Sequence, residues 1–180
     1  MSKFQNKYRI ETARLTEYDY SQAGAYFITI CTQNHNHIFG EIANGIIKLN
    51  EFGKIVEKCW FEIPIHFPNV SLDVFVIMPN HIHGIVMINE NEDISVETRH
   101  AVSLQKRQLG YSQAGSLSVI IGSYKSACSK LINIVRNTPG QSIWQRNYYE
   151  HVIRNEKSLS KIRDYIVNNP LNWEFDELNT

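Results

Sequence analysis

Short runs of β-branched and aromatic residues, separated by turn residues, predict several β-strands along the chain. In a strand the side chains alternate between the two faces of a sheet, so residues two apart face the same side. The clearest run is Ala-Tyr-Phe-Ile-Thr-Ile-Cys-Thr at residues 25–32. The pattern predicts further strands at residues 38–42, 46–49, 70–78 and 81–88, and within 141–153.

Apolar residues recur at helical spacing in three other segments, and each segment has signals for its start and its end. The predicted helices cover residues 51–63, 117–137 and 156–169. A polar capping residue precedes each helix and a proline follows it: Asn50 and Pro64, Ser116 and Pro139, Asn155 and Pro170. Because proline lacks the amide hydrogen that a helix interior needs, we expect each helix to end before it.

Hairpins and helices alternate, which predicts an α+β protein of ferredoxin-like type, with one antiparallel sheet packed with helices. A chain of 180 residues favours a single domain. Residues 89–115 are polar and irregular and predict a long loop. We expect the acidic tail, residues 173–180, to be loosely held.

The net charge is zero, but the charges are unevenly distributed. Residues 101–165 carry ten Lys and Arg and three acidic residues, a net charge of +7. Residues 1–100 and 166–180 are net acidic, at −4 and −3. A basic block of this kind favours a polyanionic partner, although a solvated basic helix face shows the same pattern.

The composition is that of an ordinary globular protein, with 43% hydrophobic and 20% charged residues. No apolar run reaches the length of a membrane span, and the N-terminus lacks the apolar core of a signal peptide. Three widely spaced cysteines predict neither a disulfide framework nor a zinc knuckle. We therefore expect the protein in the reducing cytoplasm.

Two histidines lie two residues apart in the sequence Pro79-Asn80-His81-Ile82-His83. If they lie on the strand after the Pro79-Asn80 turn, both imidazoles project from one face while Ile82 enters the core. Neutral imidazole nitrogens are common metal ligands, so the pair is a candidate part of a metal site. An ordinary half-buried histidine pair shows the same spacing, and two ligands do not complete a site.

The last predicted helix carries a candidate third ligand and a candidate nucleophile. Tyr165 and Asn169 are four residues apart, so both stand on one helical face. An amide carbonyl suits Mg²⁺ or Mn²⁺, and a tyrosine hydroxyl can form covalent intermediates when it is activated. Taken alone, such a pair is more often a tyrosine packed in the core and an asparagine that ends the helix.

Other residues offer alternatives for these roles. Tyr148 and Tyr149 are rival nucleophiles within the predicted strand at 141–153, where one of the two must face the buried side of the sheet. His151 is a candidate fourth ligand or base, although a hydrogen-bonded structural histidine is more common. The pattern alone leaves these alternatives open.

Several motifs together resemble those of a known family. Residues 79–84, Pro-Asn-His-Ile-His-Gly, are similar to the His-hydrophobic-His motif of the HUH endonucleases, and residues 165–170, Tyr-Ile-Val-Asn-Asn-Pro, to the tyrosine motif of the single-tyrosine transposases. The resemblance is greatest to the REP-associated tyrosine transposases, relatives of the transposases of the smallest insertion sequences. Further similar blocks follow the family's order at residues 26–32, 115–120, 124–127 and 144–154. The resemblance covers roughly residues 18–172.

The resemblance implies a single-domain HUH fold that cleaves single-stranded DNA beside a hairpin, with Mg²⁺ or Mn²⁺ and without a nucleotide cofactor. It implies that His81 and His83 bind the metal and that Tyr165 attacks the DNA and retains its 5′ end as a phosphotyrosine. Asn169 stands where insertion-sequence relatives carry a metal-binding glutamine. Asparagine offers the same carbonyl group on a shorter side chain.

On this interpretation the partner is single-stranded DNA with a hairpin, and the cytoplasmic protein is at the nucleoid when it is bound to DNA. The predicted phosphate contacts are Lys125, Lys130, Arg136, Arg146 and Arg154. Trp144 is expected to stack on an unpaired base. The insertion-sequence relatives act as dimers, so a homodimer is one option and a monomer the other. Two other functions stay open: a hairpin-binding protein without catalysis, and a metal-dependent hydrolase that uses water.

Overall fold

The computed structural model describes residues 18–90 and 115–179, and the backbone of two short paired strands, β1 (Lys3–Phe4) and β2 (Lys7–Tyr8). The main sheet contains β3 (Gly24–Cys31), β6 (Val70–Ile77), β7 (His81–Ile88) and β8 (Tyr149–Ile153). These strands are antiparallel, in the order β6-β7-β3-β8. A separate hairpin is formed by β4 (Gly40–Ala43) and β5 (Ile46–Leu49).

Helices cover both faces of the main sheet. One face packs against α1 (Glu51–Phe61) and α3 (Leu117–Arg136), and the other against α4 (Glu156–Asn168). Successive side chains of β3 therefore enter two separate cores. Tyr26 and Ile28 pack in the core between the sheet and helices α1 and α3, whereas Phe27 packs in the core between the sheet and α4. The predicted α+β fold with an antiparallel sheet is confirmed.

The polar caps predicted from the sequence are present at two helices. The Asn50 side chain accepts a hydrogen bond from the Gly53 amide at 3.0 Å, and that of Asn155 accepts one from the Ser158 amide at 2.8 Å. At the other ends of these helices the structure differs from the prediction. Short α2 (Ile63–His66) follows α1, and a 3₁₀ helix (Asn169–Phe175) follows α4. Both short helices prolong the helical segments beyond the predicted ends. Pro64 and Pro170 lie in their first turns, where no amide donor is needed.

The expectation of a loosely held C-terminal segment is wrong for residues 173–179. The Trp173 ring lies 6.0 Å from the ring of His81, measured between centroids. The Leu178 carbonyl accepts a hydrogen bond from the Asn80 side chain at 2.6 Å. These contacts hold the segment against the start of β7. Most of the predicted loop at 89–115 falls on residues 91–114, which lie outside the described residues.

Gly84 allows α1 to pack closely on the strand that carries the two histidines. A Cβ atom at this position would lie 2.5 Å from Cζ2 of Trp60. Trp60 is fully buried and stacks on Phe75, with ring centroids 5.5 Å apart. This packing fixes β7 from the face opposite to its histidines. Among the described helices, none is long and apolar enough to cross a membrane.

Candidate active site

The two histidines of β7 project from the sheet face that α4 covers. Both are buried, and the ring centroids of His81 and His83 lie 4.5 Å apart. Ile82 points to the opposite face, where it joins the core beneath α1 and α3. The alternation predicted from the sequence therefore places two imidazoles side by side on a rigid strand.

The tyrosine predicted on the last helix lies against this pair. The Tyr165 hydroxyl is 3.2 Å from Nε2 of His83, and the two ring centroids are 5.1 Å apart. Tyr165 is 49% exposed, so the residue is not sealed in the core although its hydroxyl lies against His83. α4 thus brings a potential nucleophile to the candidate metal ligands.

Two sets of contacts hold α4 in this position. Leu159 and Ile166 are buried in the core that also contains Phe27 of β3. The guanidinium of Arg163 donates to both carboxylate oxygens of Asp73 on β6, at distances between 2.7 and 3.2 Å. This bond lowers the pKa of Asp73. The ion pair therefore anchors the helix two residues before Tyr165.

Thr29 of β3 contacts the second nitrogen of His83. The Thr29 hydroxyl lies 2.8 Å from Nδ1 of His83, its cross-strand neighbour. A neutral imidazole has one donor and one acceptor nitrogen. When Nδ1 donates to Thr29, Nε2 keeps its lone pair on the side of Tyr165, where it can bind a metal. No sequence motif indicates Thr29, because only the register of β3 against β7 places it beside His83.

His81 has one nitrogen engaged and one without a hydrogen bond. Its Nδ1 lies 2.8 Å from Oδ1 of Asn80. Its Nε2 is buried and makes no hydrogen bond to the described residues. A carboxylate oxygen of Asp176 lies 3.9 Å from this Nε2. A buried nitrogen that faces other potential ligands and whose ring partner is engaged is typical of a metal-binding histidine.

Two side chains offer an oxygen ligand beside the histidines. Asn169, the predicted third ligand, is 3% exposed, and its Oδ1 is buried without a hydrogen bond to the described residues. Asp176 was not predicted. Potential ligand atoms of His81, His83 and Asp176 all lie within 4.8 Å of one another. The 3₁₀ helix that follows α4 brings Asp176 back to the site, and no motif in the sequence indicated this.

Burial decides the charge state of the site. It lowers the pKa of His81 to about 4, against the opposing effects of Asp176 and of the Asn169 amide. It also lowers the pKa of His83, and His81 adds to this effect. Both imidazoles are therefore neutral at physiological pH, which is the form that binds a metal ion. Burial and Asp176 raise the pKa of Tyr165, so its hydroxyl is protonated at that pH.

This set of donors fits a divalent cation. His81 and His83 offer neutral nitrogens, and Asn169 and Asp176 offer a carbonyl and a carboxylate oxygen. Oxygen ligands suit Mg²⁺ and Mn²⁺ alike, whereas the imidazoles favour Mn²⁺ because Mg²⁺ prefers coordination by oxygen alone. The described residues could therefore hold a metal beside the Tyr165 hydroxyl.

The basic residues predicted to contact DNA are not equivalent in the structure. Three of them are exposed: Lys130, Arg146 and Arg154. Arg136 is half-buried, and its guanidinium donates to the Gln141 side chain at 3.1 Å. The Lys125 ammonium donates to the backbone carbonyl of Gln145 at 2.7 Å, and burial lowers its pKa. Lys125 therefore holds the chain before β8 rather than presenting its charge to a phosphate.

The stacking role predicted for Trp144 does not fit its position. This side chain is 5% exposed, and its ring packs against Phe39 with centroids 5.2 Å apart. Its Nε1 donates to the Lys125 carbonyl at 3.1 Å. Because a base can stack only on an open ring face, Trp144 serves the core in this structure.

The alternative nucleophiles lie on or beside β8. Tyr149 pairs in register with Thr29, and its ring contacts Phe27 at 6.2 Å. Tyr148 packs partly buried against the core on the opposite face. His151 is exposed and does not belong to the metal-ligand group among the described residues. Of the three tyrosines, Tyr165 is the one whose hydroxyl the structure places against the histidine pair.

No protein-family model matches the chain. An uncharacterized protein of Haemophilus influenzae is 43% identical over 168 residues, which cover 92% of this chain and 90% of that protein. The two chains therefore belong to one family. A second protein of the same organism, described as a "Putative REP-associated tyrosine transposase", is 24% identical over 161 residues, which cover 89% of this chain and 77% of that protein.

A solved structure shares the fold over most of the chain. It is a REP-associated tyrosine transposase bound to a REP hairpin, with a TM-score of 0.56 and 17% identity, and the match covers 92% of this chain and 77% of that one. The chain is thus similar to REP-associated tyrosine transposases, distantly in sequence and over most of its fold. The resemblance indicated by the two motifs is thus confirmed. At this identity the solved structure shows the fold that the two proteins share, whereas the chemistry of this chain depends on its own residues.

Proposed function

We propose that this protein is a metal-dependent enzyme that nicks and joins single-stranded DNA beside a hairpin, as a transposase does. The observation that carries the proposal is the Tyr165 hydroxyl 3.2 Å from Nε2 of His83. A tyrosine with only a packing role would be buried in the core. Tyr165 instead is half-exposed, and its hydroxyl lies against the neutral, buried histidine pair. The roles assigned are Tyr165 as the nucleophile and His81, His83 and Asn169 as metal ligands, with Asp176 within reach of the same ion.

The tyrosine needs a positive charge beside it to react. Burial and Asp176 raise its pKa, so the phenol does not ionise by itself at neutral pH. A divalent metal, when bound by His81, His83 and an oxygen ligand, supplies that charge and acts as a Lewis acid toward the scissile phosphate. The protein contributes the neutral imidazoles and the rigid strand that holds them.

The covalent step conserves the phosphodiester bond energy. The Tyr165 oxygen loses its proton and bonds to phosphorus while the bond from phosphorus to the 3′ oxygen breaks, and the departing 3′ oxygen takes up a proton. The 5′ end stays on Tyr165 as a phosphotyrosine. Attack by the 3′-hydroxyl of a second strand reverses the step, joins the DNA and frees the tyrosine, so no nucleotide cofactor is consumed.

A cavity of about 490 Å³ beside Tyr149 offers a place for the strand next to the scissile phosphate. Arg154 and Asn155 are among its lining residues. Tyr149, which lines this cavity, contacts the Phe27 ring at 6.2 Å, and Tyr165 contacts the same ring at 6.1 Å. An exposed aromatic ring near an arginine suits an unpaired base and its phosphate. We place the single strand here, with Lys130 and Arg146 as further candidates for phosphate contacts.

The hairpin part of the proposal is supported by the fold relative, which was solved bound to a REP hairpin. The test uses single-stranded oligonucleotides from both flanks of the gene, including every predicted hairpin. Purified protein is incubated with them and Mn²⁺ or Mg²⁺, and the products are run on a denaturing gel. The expected result is a protein–DNA band that resists SDS, requires the metal and is lost in His83→Ala.

Other outcomes of the same gel assign a different function. Cleavage without a covalent band would favour a hydrolase that uses water. Retention of the hairpin on a native gel, without cleavage in any metal, would favour a protein that only binds DNA. A covalent band that persists in EDTA would remove the metal from the proposal.

A further inference from the structure

Asn80 lies in the turn before β7 and is fully buried. Its side chain makes three hydrogen bonds to separate parts of the chain. Nδ2 donates to the carbonyl of Leu178 at 2.6 Å and to that of His35 at 3.2 Å. Oδ1 lies 2.8 Å from Nδ1 of His81. One amide therefore joins the start of β7, the segment after β3 and the C-terminal segment.

The two carbonyl partners determine which way the Asn80 amide points. A backbone carbonyl can only accept a hydrogen bond, so the group that faces Leu178 and His35 must be the NH₂ group, which has two hydrogens to donate. Rotation of the amide by 180° would set an oxygen against both carbonyls and break both bonds. The carbonyl oxygen of Asn80 therefore faces His81.

This orientation decides the tautomer of His81. The Asn80 oxygen can only accept, so Nδ1 of His81 must carry the hydrogen and donate it. A neutral imidazole has a single ring hydrogen, which leaves Nε2 with its lone pair. That nitrogen is buried, lacks a hydrogen bond to the described residues and lies 3.9 Å from an Asp176 oxygen. The lone pair thus lies in the group of potential metal ligands.

We infer that Asn80 is a positioning residue that holds His81 in the Nδ1–H tautomer, with the Nε2 lone pair available to a divalent metal. The part concerning the metal rests on the proposed function. Ligand histidines generally have their second nitrogen hydrogen-bonded in this manner, and loss of such a partner costs about 10- to 100-fold in metal affinity. In this chain the amide is itself held by the carbonyls of His35 and Leu178, so the tautomer depends on two segments distant in sequence.

The tautomer can be read directly by NMR on the ¹⁵N-histidine-labelled, metal-free protein at neutral pH. We expect the His81 ring to show a protonated Nδ1 and an unprotonated Nε2. Asn80→Ala removes the acceptor and should allow the Nε2–H form to appear. A wild-type His81 with its hydrogen on Nε2 would overturn the inference, and this measurement needs no variant to fold.

Metal affinity provides the second readout, by calorimetric titration with MnCl₂. Asn80→Ala should weaken Mn²⁺ binding about 10- to 100-fold. The matched control is Asn133→Ala, which removes another buried asparagine whose Nδ2 donates to a backbone carbonyl, that of Gln141, at 2.9 Å. Equal affinities for the two variants would contradict the inference. If the wild type binds no Mn²⁺, the proposed metal chemistry fails, while the NMR result still decides the role of Asn80.

Discussion

Arg163 of α4 and Asp73 of β6 form a bidentate ion pair between residues 90 positions apart in the chain. The pair lies two residues before Tyr165, on the helix that brings this tyrosine to His83. Since a small misplacement of a reacting group can cost about 100-fold in rate, the pair matters to the chemistry as well as to the fold.

Arg163→Ala should therefore lower the yield of the covalent DNA adduct by about 10- to 100-fold. Lys161→Ala, which removes an exposed cation from the same helix, is the matched control and should behave like the wild type. Adduct yields are compared on the same oligonucleotide. Equal losses in the two variants would mean that the helix charge matters and the ion pair does not.

The same pair predicts a pH dependence of stability. The hydrogen bond from Arg163 lowers the pKa of Asp73 below its ordinary value, so the carboxylate stabilises the folded state above the unfolded-state pKa of about 3.9. That contribution is lost as the pH falls through the folded-state pKa. The difference in free energy of unfolding between the wild type and Asp73→Asn, from urea titrations, should shrink below about pH 4. A difference that is constant from pH 7 to pH 2.5 would contradict this account.

Asn169 and Asp176 compete for the role of third metal ligand, and two variants separate them. We expect Asn169→Ala to weaken Mn²⁺ binding about tenfold or more, because its buried Oδ1 has no hydrogen bond to the described residues. We expect a smaller effect from Asp176→Ala. Calorimetric titration measures both. The reverse order of effects would assign the oxygen ligand to Asp176.

The basic residues should divide into two groups when DNA affinity is measured against salt. Arg154→Ala should weaken binding of single-stranded DNA and reduce the slope of log affinity against log salt by about 0.7, the value for one phosphate contact. Lys125→Ala should leave that slope unchanged and lower the stability, since its ammonium bonds backbone carbonyls. An unchanged slope in Arg154→Ala would remove this residue from the DNA surface.

Gly84 lets Trp60 pack behind the histidine strand, and a methyl group there would lie 2.5 Å from the indole. Gly84→Ala should lower the free energy of unfolding by about 1–3 kcal/mol. Gly122→Ala is the control, because a Cβ there meets nothing within 4 Å and alanine favours the helix. Urea titrations measure the free energy of unfolding of both variants. If the two variants change it equally, close packing of Trp60 is not the reason for glycine at position 84.

Local periodicity explains what the sequence could predict. The strand period placed His81 and His83 on one face, and the helical period placed Tyr165 and Asn169 together. Both patterns involve neighbours within one element. The position of Trp144 was not predictable in this way, because its burial depends on α3 and the segment after β3 meeting around it.

The remaining site residues depend on contacts distant in sequence. Thr29 reaches His83 only through the register of β3 against β7. Asp176 reaches His81 only because the chain continues beyond Pro170 as a 3₁₀ helix and turns back. Asn80 lies inside the motif, but its role follows from carbonyls of two remote segments. The hydrophobic periodicity and the spacing of motif residues describe neighbours within one element, so they do not predict these long-range contacts.

If Tyr165 forms the covalent bond to DNA, peptide mapping of the adduct will locate the linkage on this residue. The protein is incubated with its hairpin oligonucleotide and Mn²⁺, digested with protease and nuclease, and analysed by mass spectrometry. We expect a nucleotide-modified peptide that contains Tyr165, and no adduct in Tyr165→Phe, whereas Tyr149→Phe still forms it. A modification on Tyr148 or Tyr149, or an adduct that survives Tyr165→Phe, would show that Tyr165 is not the nucleophile.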